Sequence, residues 1–489
     1  MQYSAPATAF PVLRIERRGI SARGSFAEAQ ASYLRPDPRL VQKLDDLLSK
    51  KRIGVVAHFY MDPELQGVLA SCKHPHIHVS DSLVMADRAV QMAKEGAEHI
   101  VVLGVDFMSE NVRAMLDVAG FEHVPVYRAA EAEIGCSLAE AAESPAYRAY
   151  LERAHSRPHA LHVVYINTSL RTKALAEGLV PTITCTSSNV VKTILQAAAQ
   201  VPEAEIFFGP DTYMGENLKA LFTSLLDLDE SAIRALHPAH DHASIRALLE
   251  RYHYFEEGAC IVHHMFGEDV ARRVREEHPD AFVTAHLEVP GEMFRLGLEA
   301  QRVGRGVVGS TSNILDFIVA KVKEAIETGR GDRLEFVLGT ESGMVTPIVR
   351  KVEALLDEAG RAGKATPTVD IVFPVASEAI STTGEAALPV VPGVASGEGC
   401  SVAGGCATCP YMKMNSLRAL MDIVERVGEV PAESLSGLYP KHYDEPVFGR
   451  SAAELGGVPI LHMRAFQAEG KLPPDLERAI RGPREANAG

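Results

Sequence analysis

The chain has 489 residues, which is too many for one hydrophobic core and enough for two to four packed domains. Its formal net charge is −15, from 64 acidic and 49 basic residues, so its overall field repels nucleic acid and anionic membranes. No stretch approaches the roughly 18 apolar residues that span a bilayer, and the N-terminus lacks the apolar segment of a secretory signal. These features predict a cytoplasmic protein that binds neither nucleic acid nor membrane.

Residues 1–45 form an N-terminal arm for which the sequence indicates no role, and three copies of one unit follow it at intervals of a little over 100 residues. Each copy opens with a β-branched run that ends in polar groups, which is typical of a buried parallel strand. These runs are residues 52–58, 161–167 and 281–286.

A hydroxyl-rich turn follows each of these strands and leads into an amphipathic helix. The turns are residues 80–82, 186–188 and 310–312. In the first copy, apolar residues recur at helical spacing from Leu83 to Ala93, and Gly96 is placed to end the helix. A single turn of this kind indicates N-capping, whereas three converging turns favour the capture of phosphate or carboxylate oxygens.

Each copy continues with a second strand, a Gly-x-acid turn and another helix. Strand, turn and helix repeated in register predict an α/β protein of three homologous three-layer αβα domains with parallel sheets. An arrangement with pseudo-three-fold symmetry would bring the carboxyl ends of the strands to one centre, where ligands bind in such folds. We place the first repeat at residues 46–140, the second at 141–262, the third at 263–395, and a cysteine-bearing C-terminal segment and tail at 396–489.

Seven cysteines are an odd number, which in a large protein of a reducing compartment indicates thiols or metal ligands rather than disulfides. Cys72 and Cys185 lie in or beside apolar runs and are interpreted as core residues. One cysteine follows each repeat, and together these three predict a three-ligand site: Cys136, Cys260 and Cys409.

The last of these cysteines belongs to a local cluster with Cys400 and Cys406. Its spacing alone is compatible with a zinc knuckle, a redox dithiol or an iron–sulfur site. A lone zinc site needs a fourth ligand, and His442 is distant for that purpose. Polar groups at the strand ends are further candidates for chemistry, namely His58, His286 and Glu288, and so is His263, three residues after Cys260.

Taken together and in order, these motifs resemble those of the quinolinate synthase family over about residues 50–420. The matching segments are residues 57–60, 81–83, 104–108, 136–138, 165–169, 185–189, 209–211, 260–263, 286–288, 309–312, 339–341 and 409–412. The chain departs from the commoner family pattern at Phe59, at Leu287 and at His264, which affects loop geometry more than chemistry.

The resemblance implies an enzyme of de novo NAD biosynthesis that condenses iminoaspartate with dihydroxyacetone phosphate to give quinolinate, phosphate and water. It also implies three domains around a [4Fe–4S] cluster ligated by Cys136, Cys260 and Cys409. The iron without a protein ligand would act as a Lewis acid on a substrate hydroxyl during dehydration. A transient contact with an aspartate-oxidising enzyme, which would supply the unstable iminoaspartate, is a further expectation.

The resemblance also implies roles for individual residues. The expected catalytic residues are Tyr60, Glu288, His58, His263 and His286, with Tyr60 and Glu288 as the main acid/base pair. The expected substrate-binding residues are His58, Ser82, Tyr165, Asn167, Ser187, His286, Glu288 and Thr311.

Two other interpretations stay open at this point. Hydroxymethylbutenyl diphosphate reductases and diphthamide-synthesis enzymes also look like three related domains around a [4Fe–4S] cluster. The His286-x-Glu288 motif and the run at residues 165–169 count against both. A non-enzymatic iron–sulfur sensor or zinc scaffold would not need hydroxyl-lined turns in all three repeats.

Overall fold

The computed structural model describes residues 9–329, 331–374 and 409–482. The strands are β1 (Val12–Glu16), β2 (Gly19–Arg23), β3 (Ile53–His58), β4 (Ile77–Ser80), β5 (His99–Leu103), β6 (Val126–Arg128), β7 (Ala160–Tyr165), β8 (Thr182–Cys185), β9 (Glu205–Gly209), β10 (Tyr252–Tyr254), β11 (Phe282–His286), β12 (Gly306–Gly309), β13 (Arg333–Gly339) and β14 (Thr368–Val372).

The first helices, in chain order, are α1 (Ser25–Tyr33), α2 (Pro38–Lys50), α3 (Pro63–Leu69), α4 (Ser82–Lys94), α5 (Asp106–Val118), α6 (Ser137–Ala142), α7 (Pro145–His155), α8 (Leu170–Leu179), α9 (Val190–Gln200) and α10 (Thr212–Leu225). They are followed by α11 (Glu230–Leu236), α12 (His242–Glu250), α13 (Glu268–Glu277), α14 (Gly291–Arg302), α15 (Thr311–Thr328), α16 (Val345–Arg361), α17 (Leu417–Arg426), α18 (Ala452–Glu469) and α19 (Pro474–Arg481). Short 3₁₀ helices occur at His263–Met265, Ser342–Met344, Met412–Met414 and Ala432–Leu438.

The strands form three sheets. The first has the order β4-β3-β5-β6 and the second the order β10-β9-β7-β8, and both are parallel throughout. The third has the order β12-β11-β13-β14-β1-β2, and its pairs from β12 to β14 are parallel. The predicted α/β class with parallel sheets is therefore confirmed, while the domain boundaries stay a prediction.

The repeated sequence patterns fold as expected. The three β-branched runs are β3, β7 and β11, and the residues of β7 are all buried because helices cover both faces of the sheet. The three hydroxyl-rich turns lead into α4, α9 and α15. The helix expected to end near Gly96 ends at Lys94, and Gly96 has a left-handed φ of 98°. Each sheet thus presents the same strand, turn and helix at its carboxyl edge.

The N-terminal arm completes the third sheet. Strand β1 pairs antiparallel with β14, with Leu13 opposite Ile371, and β2 continues the sheet as a hairpin. Asp370 on β14 is fully buried and accepts hydrogen bonds from Arg14 at 2.8 and 2.9 Å and from Arg333 at 2.7 Å. An ion pair and a strand ladder therefore join the two ends of the third sheet's sequence.

The C-terminal segment packs against the second sheet. Helix α18 lies on α8 and β8, and a Cβ at its Gly456 would come within 2.3 Å of the Leu170 carbonyl oxygen. His462 on the same helix contacts the Thr182 carbonyl oxygen at 2.8 Å. Cys400 and Cys406 lie outside the described residues, as does the end of the tail. Among the helices of the described ranges, none is long and apolar enough to cross a membrane.

Replacing Asp370 by asparagine tests the contribution of the arm's ion pair. Burial raises the pKa of Asp370, but hydrogen bonds from Arg14 and Arg333 outweigh it and leave that pKa below its ordinary value. We expect Asp370→Asn to lower the free energy of unfolding by roughly 2 kcal/mol near neutral pH, measured by denaturant titration.

The wild type should lose this stabilisation as the pH falls through the lowered pKa, so the difference between the two proteins should shrink in acid. Asp280→Asn is the control, since its exposed pair with Arg305 should contribute little. An equal loss in both variants would contradict the role assigned to the buried pair.

Candidate active site

Every candidate site residue named from the sequence lines one cavity at the carboxyl edges of the three sheets. The first sheet contributes His58, Tyr60 and Ser82, the second Tyr165, Asn167 and Ser187, and the third His286, Glu288 and Thr311. His263 and the cysteines Cys136, Cys260 and Cys409 line the same cavity. Polar groups predicted from three separate repeats are thus brought together in one place.

The strands explain this convergence. His58 is the last residue of β3, Tyr165 of β7 and His286 of β11. The side chain that ends a parallel strand points towards the crevice at the carboxyl edge of the sheet. The equivalent ends of three sheets therefore supply one polar group each.

The hydroxyl-rich turns differ from the simple capping interpretation. Asp81 caps α4 through the Leu83 and Val84 amides, and Ser310 caps α15 through the Asn313 amide. Ser82 and Thr311 are consequently the first residues of their helices and line the cavity. Hydroxyls at two helix N-termini, where the helix dipole favours negative charge, suit an anionic ligand.

The Glu288 carboxylate is the charged centre of the cavity. The Tyr165 hydroxyl donates to its Oε1, and His263 Nδ1 lies 3.0 Å from its Oε2. His286 Nδ1 lies 3.8 Å from Oε1. Burial would raise the pKa of Glu288, but His263 and the hydrogen bond from Tyr165 outweigh it and lower that pKa to about 2. Glu288 is therefore an anion at neutral pH and can only accept a proton or hydrogen bond.

His58 and His286 have the same backbone-defined tautomer. The Tyr60 amide donates to His58 Nδ1 at 3.2 Å, and the Glu288 amide donates to His286 Nδ1 at 3.3 Å. Burial lowers the pKa of each imidazole to about 4, so both rings are neutral and carry their proton on Nε2. From this position His286 Nε2 donates to the Ser187 hydroxyl at 3.2 Å.

Tyr60 is held by close packing between the first and third sheets. Its hydroxyl lies 3.4 Å from Thr340 Oγ1. A Cβ at Gly343 would come within 2.1 Å of the Phe59 carbonyl oxygen, so only glycine allows this approach. Burial raises the pKa of Tyr60 well above its ordinary value, and the phenol is therefore a hydrogen-bond or proton donor at neutral pH.

The three cavity cysteines share one local geometry. Each begins a helical turn, because its carbonyl oxygen accepts the amide four residues on: Glu140 for Cys136, His264 for Cys260 and Lys413 for Cys409. Backbone N–H groups two or three residues further along the chain lower the pKa of each thiol, against the effect of burial. The same arrangement therefore occurs after each sheet.

Burial raises the pKa of all three thiols, to about 11 for Cys136, and nearby anionic groups raise it further. Cys136 raises the pKa of Cys409, and Cys409 raises the pKa of Cys260, which indicates that the thiols lie near one another. Converging thiolates need a cation to stabilise them. The donor set thus fits a metal centre that takes three thiolate ligands.

A second donor set shares Cys260. One ligand atom each from Cys260, His263 and Glu288 lie within 4.8 Å of one another, which is compatible with a single metal ion. Both carboxylate oxygens of Glu288 are already engaged by Tyr165 and His263. The approach of His263 does not meet hydrogen-bonding geometry, because neither of its ring nitrogens has a hydrogen-bond partner among the described residues, and the group therefore remains compatible with a metal ion.

The Gly-x-acid turns, to which the sequence assigned no role, each contain one buried acid: Asp106, Asp211 and Glu341. Asp106 Oδ2 accepts the Ile134 amide at 3.1 Å, and Glu341 Oε1 accepts the Cys409 amide at 2.9 Å. Next to Asp211, Thr212 exchanges two hydrogen bonds with Gly258. The acid itself thus bonds the segment beside the cysteine in the first and third repeats, whereas in the second Thr212 makes that contact and Asp211 caps α10 through the Met214 amide.

The sequence of residues 42–356 matches a protein-family profile described as quinolinate synthetase A protein. A chloroplastic quinolinate synthase of Nicotiana tabacum is 55% identical over 485 residues, which cover 97% of this chain and 67% of that protein. One from Arabidopsis thaliana is 56% identical over 483 residues, with 96% and 67% covered. A quinolinate synthase of Cyanothece sp. is 30% identical over 319 residues, with 64% and 76% covered.

These relatives correct one expectation. The prediction of a cytoplasmic protein is wrong, because the four relatives that are 53–56% identical over the aligned residues are named as chloroplastic. The prediction rested on tests for apolar segments, and plastid targeting uses amphipathic, Ser- and Arg-rich segments that such tests do not detect.

Replacing Asn217 by aspartate tests how Glu288 is held. The Asn217 amide nitrogen donates to the carbonyl oxygens of Leu287 at 2.9 Å and Val289 at 2.7 Å, on either side of Glu288. An aspartate has no N–H to donate and brings a charge against two carbonyls. We expect a loss of about 2 kcal/mol and faster amide exchange at residues 286–290, measured by denaturation and hydrogen–deuterium exchange.

Glu216→Gln is the matched control, because Glu216 is the preceding residue of the same helix and is exposed. Unchanged exchange at residues 286–290 in Asn217→Asp would remove Asn217 as the support of this loop.

Proposed function

This chain belongs to the quinolinate synthase family, an enzyme family of NAD biosynthesis, and on that premise we propose that it condenses iminoaspartate with dihydroxyacetone phosphate to give quinolinate, phosphate and water. One observation carries the proposal: groups that bind anions, groups that move protons and three metal-binding thiols all line a single cavity. The reaction requires all three kinds of group.

The proposed cofactor is a [4Fe–4S] cluster held by Cys136, Cys260 and Cys409. The shared cysteine geometry after each sheet supports three equivalent ligands and a pseudo-three-fold arrangement of the sheets around them. Backbone N–H groups directed at ligand sulfurs are a usual means of tuning such clusters. When bound, a cluster with three protein ligands offers one iron as a Lewis acid to a substrate hydroxyl.

The proposed anion sites are the N-terminal turns at the cavity. Ser82 and Thr311 combine a hydroxyl with the start of a helix, and Ser187 lies within hydrogen-bonding distance of His286. Phosphate and carboxylate oxygens suit these donors, and a chain with a net charge of −15 needs such a local site to bind anions. Tyr165 and Asn167, in and after β7, would contact the second substrate.

The proposed proton transfers use opposite partners. Imine formation, isomerisation and dehydration each move protons between carbon, nitrogen and oxygen. Glu288, as an anion, would accept a proton, while Tyr60, as a neutral phenol, would donate one. The Nε2–H groups of His58 and His286 would orient substrate oxygens. His263, whose Nδ1 lies 3.0 Å from Glu288 Oε2, would help to hold that carboxylate in place.

The proposal also covers the cellular location of this protein and the source of its substrate iminoaspartate. The names of the plant relatives support a plastid location for this chain. Because iminoaspartate hydrolyses readily, we expect it to pass to this enzyme during transient contact with an aspartate-oxidising enzyme. A sensor or scaffold without activity has no need for the Glu288 network, which disfavours it.

Iron and acid-labile sulfide analysis of anaerobically purified protein tests the cofactor. We expect about four irons and four sulfides per chain in the wild type. Cys136→Ala, Cys260→Ala and Cys409→Ala should each lose the cluster together with quinolinate formation. The controls Cys72→Ala, Cys400→Ala and Cys406→Ala should keep both. Zinc in place of iron, or a cluster that survives loss of Cys136 or Cys260, would contradict the ligand set.

Glu288→Gln tests the proton acceptor. Glutamine keeps the shape of the side chain but removes its charge, so we expect kcat to fall about 100-fold or more while iron content is unchanged. Anaerobic turnover of dihydroxyacetone phosphate with freshly generated iminoaspartate is the measurement. Glu299→Gln, on an exposed face of α14, is the control. Full activity in Glu288→Gln with a complete cluster would remove this assignment.

A further inference from the structure

Lys173 is a completely buried cation on α8 that none of the steps above uses. Its Nζ donates to the Ile166 carbonyl oxygen at 3.1 Å and also to the Thr168 carbonyl oxygen. These two carbonyls lie on either side of Asn167, which lines the cavity. We propose that Lys173 is a positioning residue that holds the turn between β7 and α8 so that Asn167 and Tyr165 face the substrate.

The turn it holds is short and constrained at both ends. The Thr168 amide donates to the Ile166 carbonyl at 2.7 Å, and the Thr168 hydroxyl donates to the Tyr165 carbonyl at 3.2 Å. The Ile166 amide donates to the Cys185 carbonyl of the neighbouring strand at 2.8 Å. The ammonium adds a second contact across Asn167, because one nitrogen reaches the carbonyls on both sides of it.

A hydrophobic residue would fill the space of Lys173 without the free-energy cost of removing a charge from water. Removing an ammonium from water costs several kcal/mol unless hydrogen bonds and a counter-charge offset it. Here the offset comes from the two carbonyls, from the Phe107 ring 5.7 Å away and from the Glu110 carboxylate. A buried cation that only filled space would have no need for these partners.

Glu110, on α5 of the first sheet, connects this turn to two other parts of the molecule. Its Oε2 accepts the Leu170 amide at 2.9 Å, at the start of α8, and its Oε1 accepts the Tyr443 hydroxyl at 3.1 Å. Burial disfavours the charge on both Glu110 and Lys173, raising the pKa of the first and lowering that of the second. Each charge thus depends on the other for its retention.

The test compares Lys173→Met, which keeps the length and removes the charge, with Lys192→Met on an exposed face of α9. The inference rests on the proposed function, so the first readout is quinolinate formation. We expect Lys173→Met to lower kcat/KM at least ten-fold with unchanged iron content, and Lys192→Met to match the wild type. In an Asn167→Ala background, Lys173→Met should have a smaller effect than in the wild type, because the part that acts through Asn167 is already lost.

Rescue separates positioning from a merely structural role. Lys173→Ala leaves room for a small amine, and ethylammonium should restore activity at least five-fold there but not in Lys173→Met. Unchanged kcat/KM in Lys173→Met, or full additivity with Asn167→Ala, would overturn the inference. Should Lys173→Met fail to fold, Glu110→Gln is the second variant, and wild-type kcat/KM in it would be equally decisive against the proposal.

Hydrogen–deuterium exchange gives a readout that does not depend on turnover. Loss of the ammonium should speed amide exchange at residues 165–169 and leave β11 unchanged. A wild type that forms no quinolinate would overturn the proposed function, and exchange at residues 165–169 would still decide the role of Lys173. Protection equal to that of the wild type would overturn the role.

Discussion

The buried Glu288 carboxylate is the interaction on which the cavity depends. A charge removed from water must be paired and hydrogen-bonded, or it is neutralised or expelled. Glu288 follows β11 of the third sheet, whereas its partners come from elsewhere: Tyr165 from the second sheet and His263 from the loop after it. The anion is therefore satisfied only when two sheets are correctly docked, so docking and the protonation state of the site are set by the same contacts.

The recurrent turns show how far the sequence alone reached. Periodicity placed β3, β7 and β11 with the helices that follow, because a buried strand and an amphipathic helix leave different spacings in one sequence. It also brought every candidate residue to one edge, since parallel strands end together. It did not show that Asp81 rather than Ser82 caps α4, because both are good capping residues and the choice depends on which side chain faces the cavity.

The residues that support the site from outside the cavity were not identified from the sequence, for a different reason. Lys173 and Asn217 each lie within a helix, where the sequence pattern does not distinguish them from ordinary surface residues. Asn217 is 70 residues from Leu287, whose carbonyl oxygen it contacts, while Lys173 acts on a turn five to seven residues before it. Only the fold brings the Asn217 amide to the carbonyls beside Glu288. The role of the N-terminal arm could not be predicted either, because strand β1 pairs with a strand more than three hundred residues away.

That distant pairing determines the order in which the molecule can be assembled. During synthesis the hairpin of β1 and β2 leaves the ribosome well before β14, its partner in the sheet, which is made only after Val337 and the rest of β13. At ribosomal rates of about 5–20 residues per second the hairpin waits on the order of tens of seconds without a neighbour. The first two sheets can form in that interval, so this early hairpin is among the last segments to join its sheet. Until then its apolar strand is unpaired and must stay soluble.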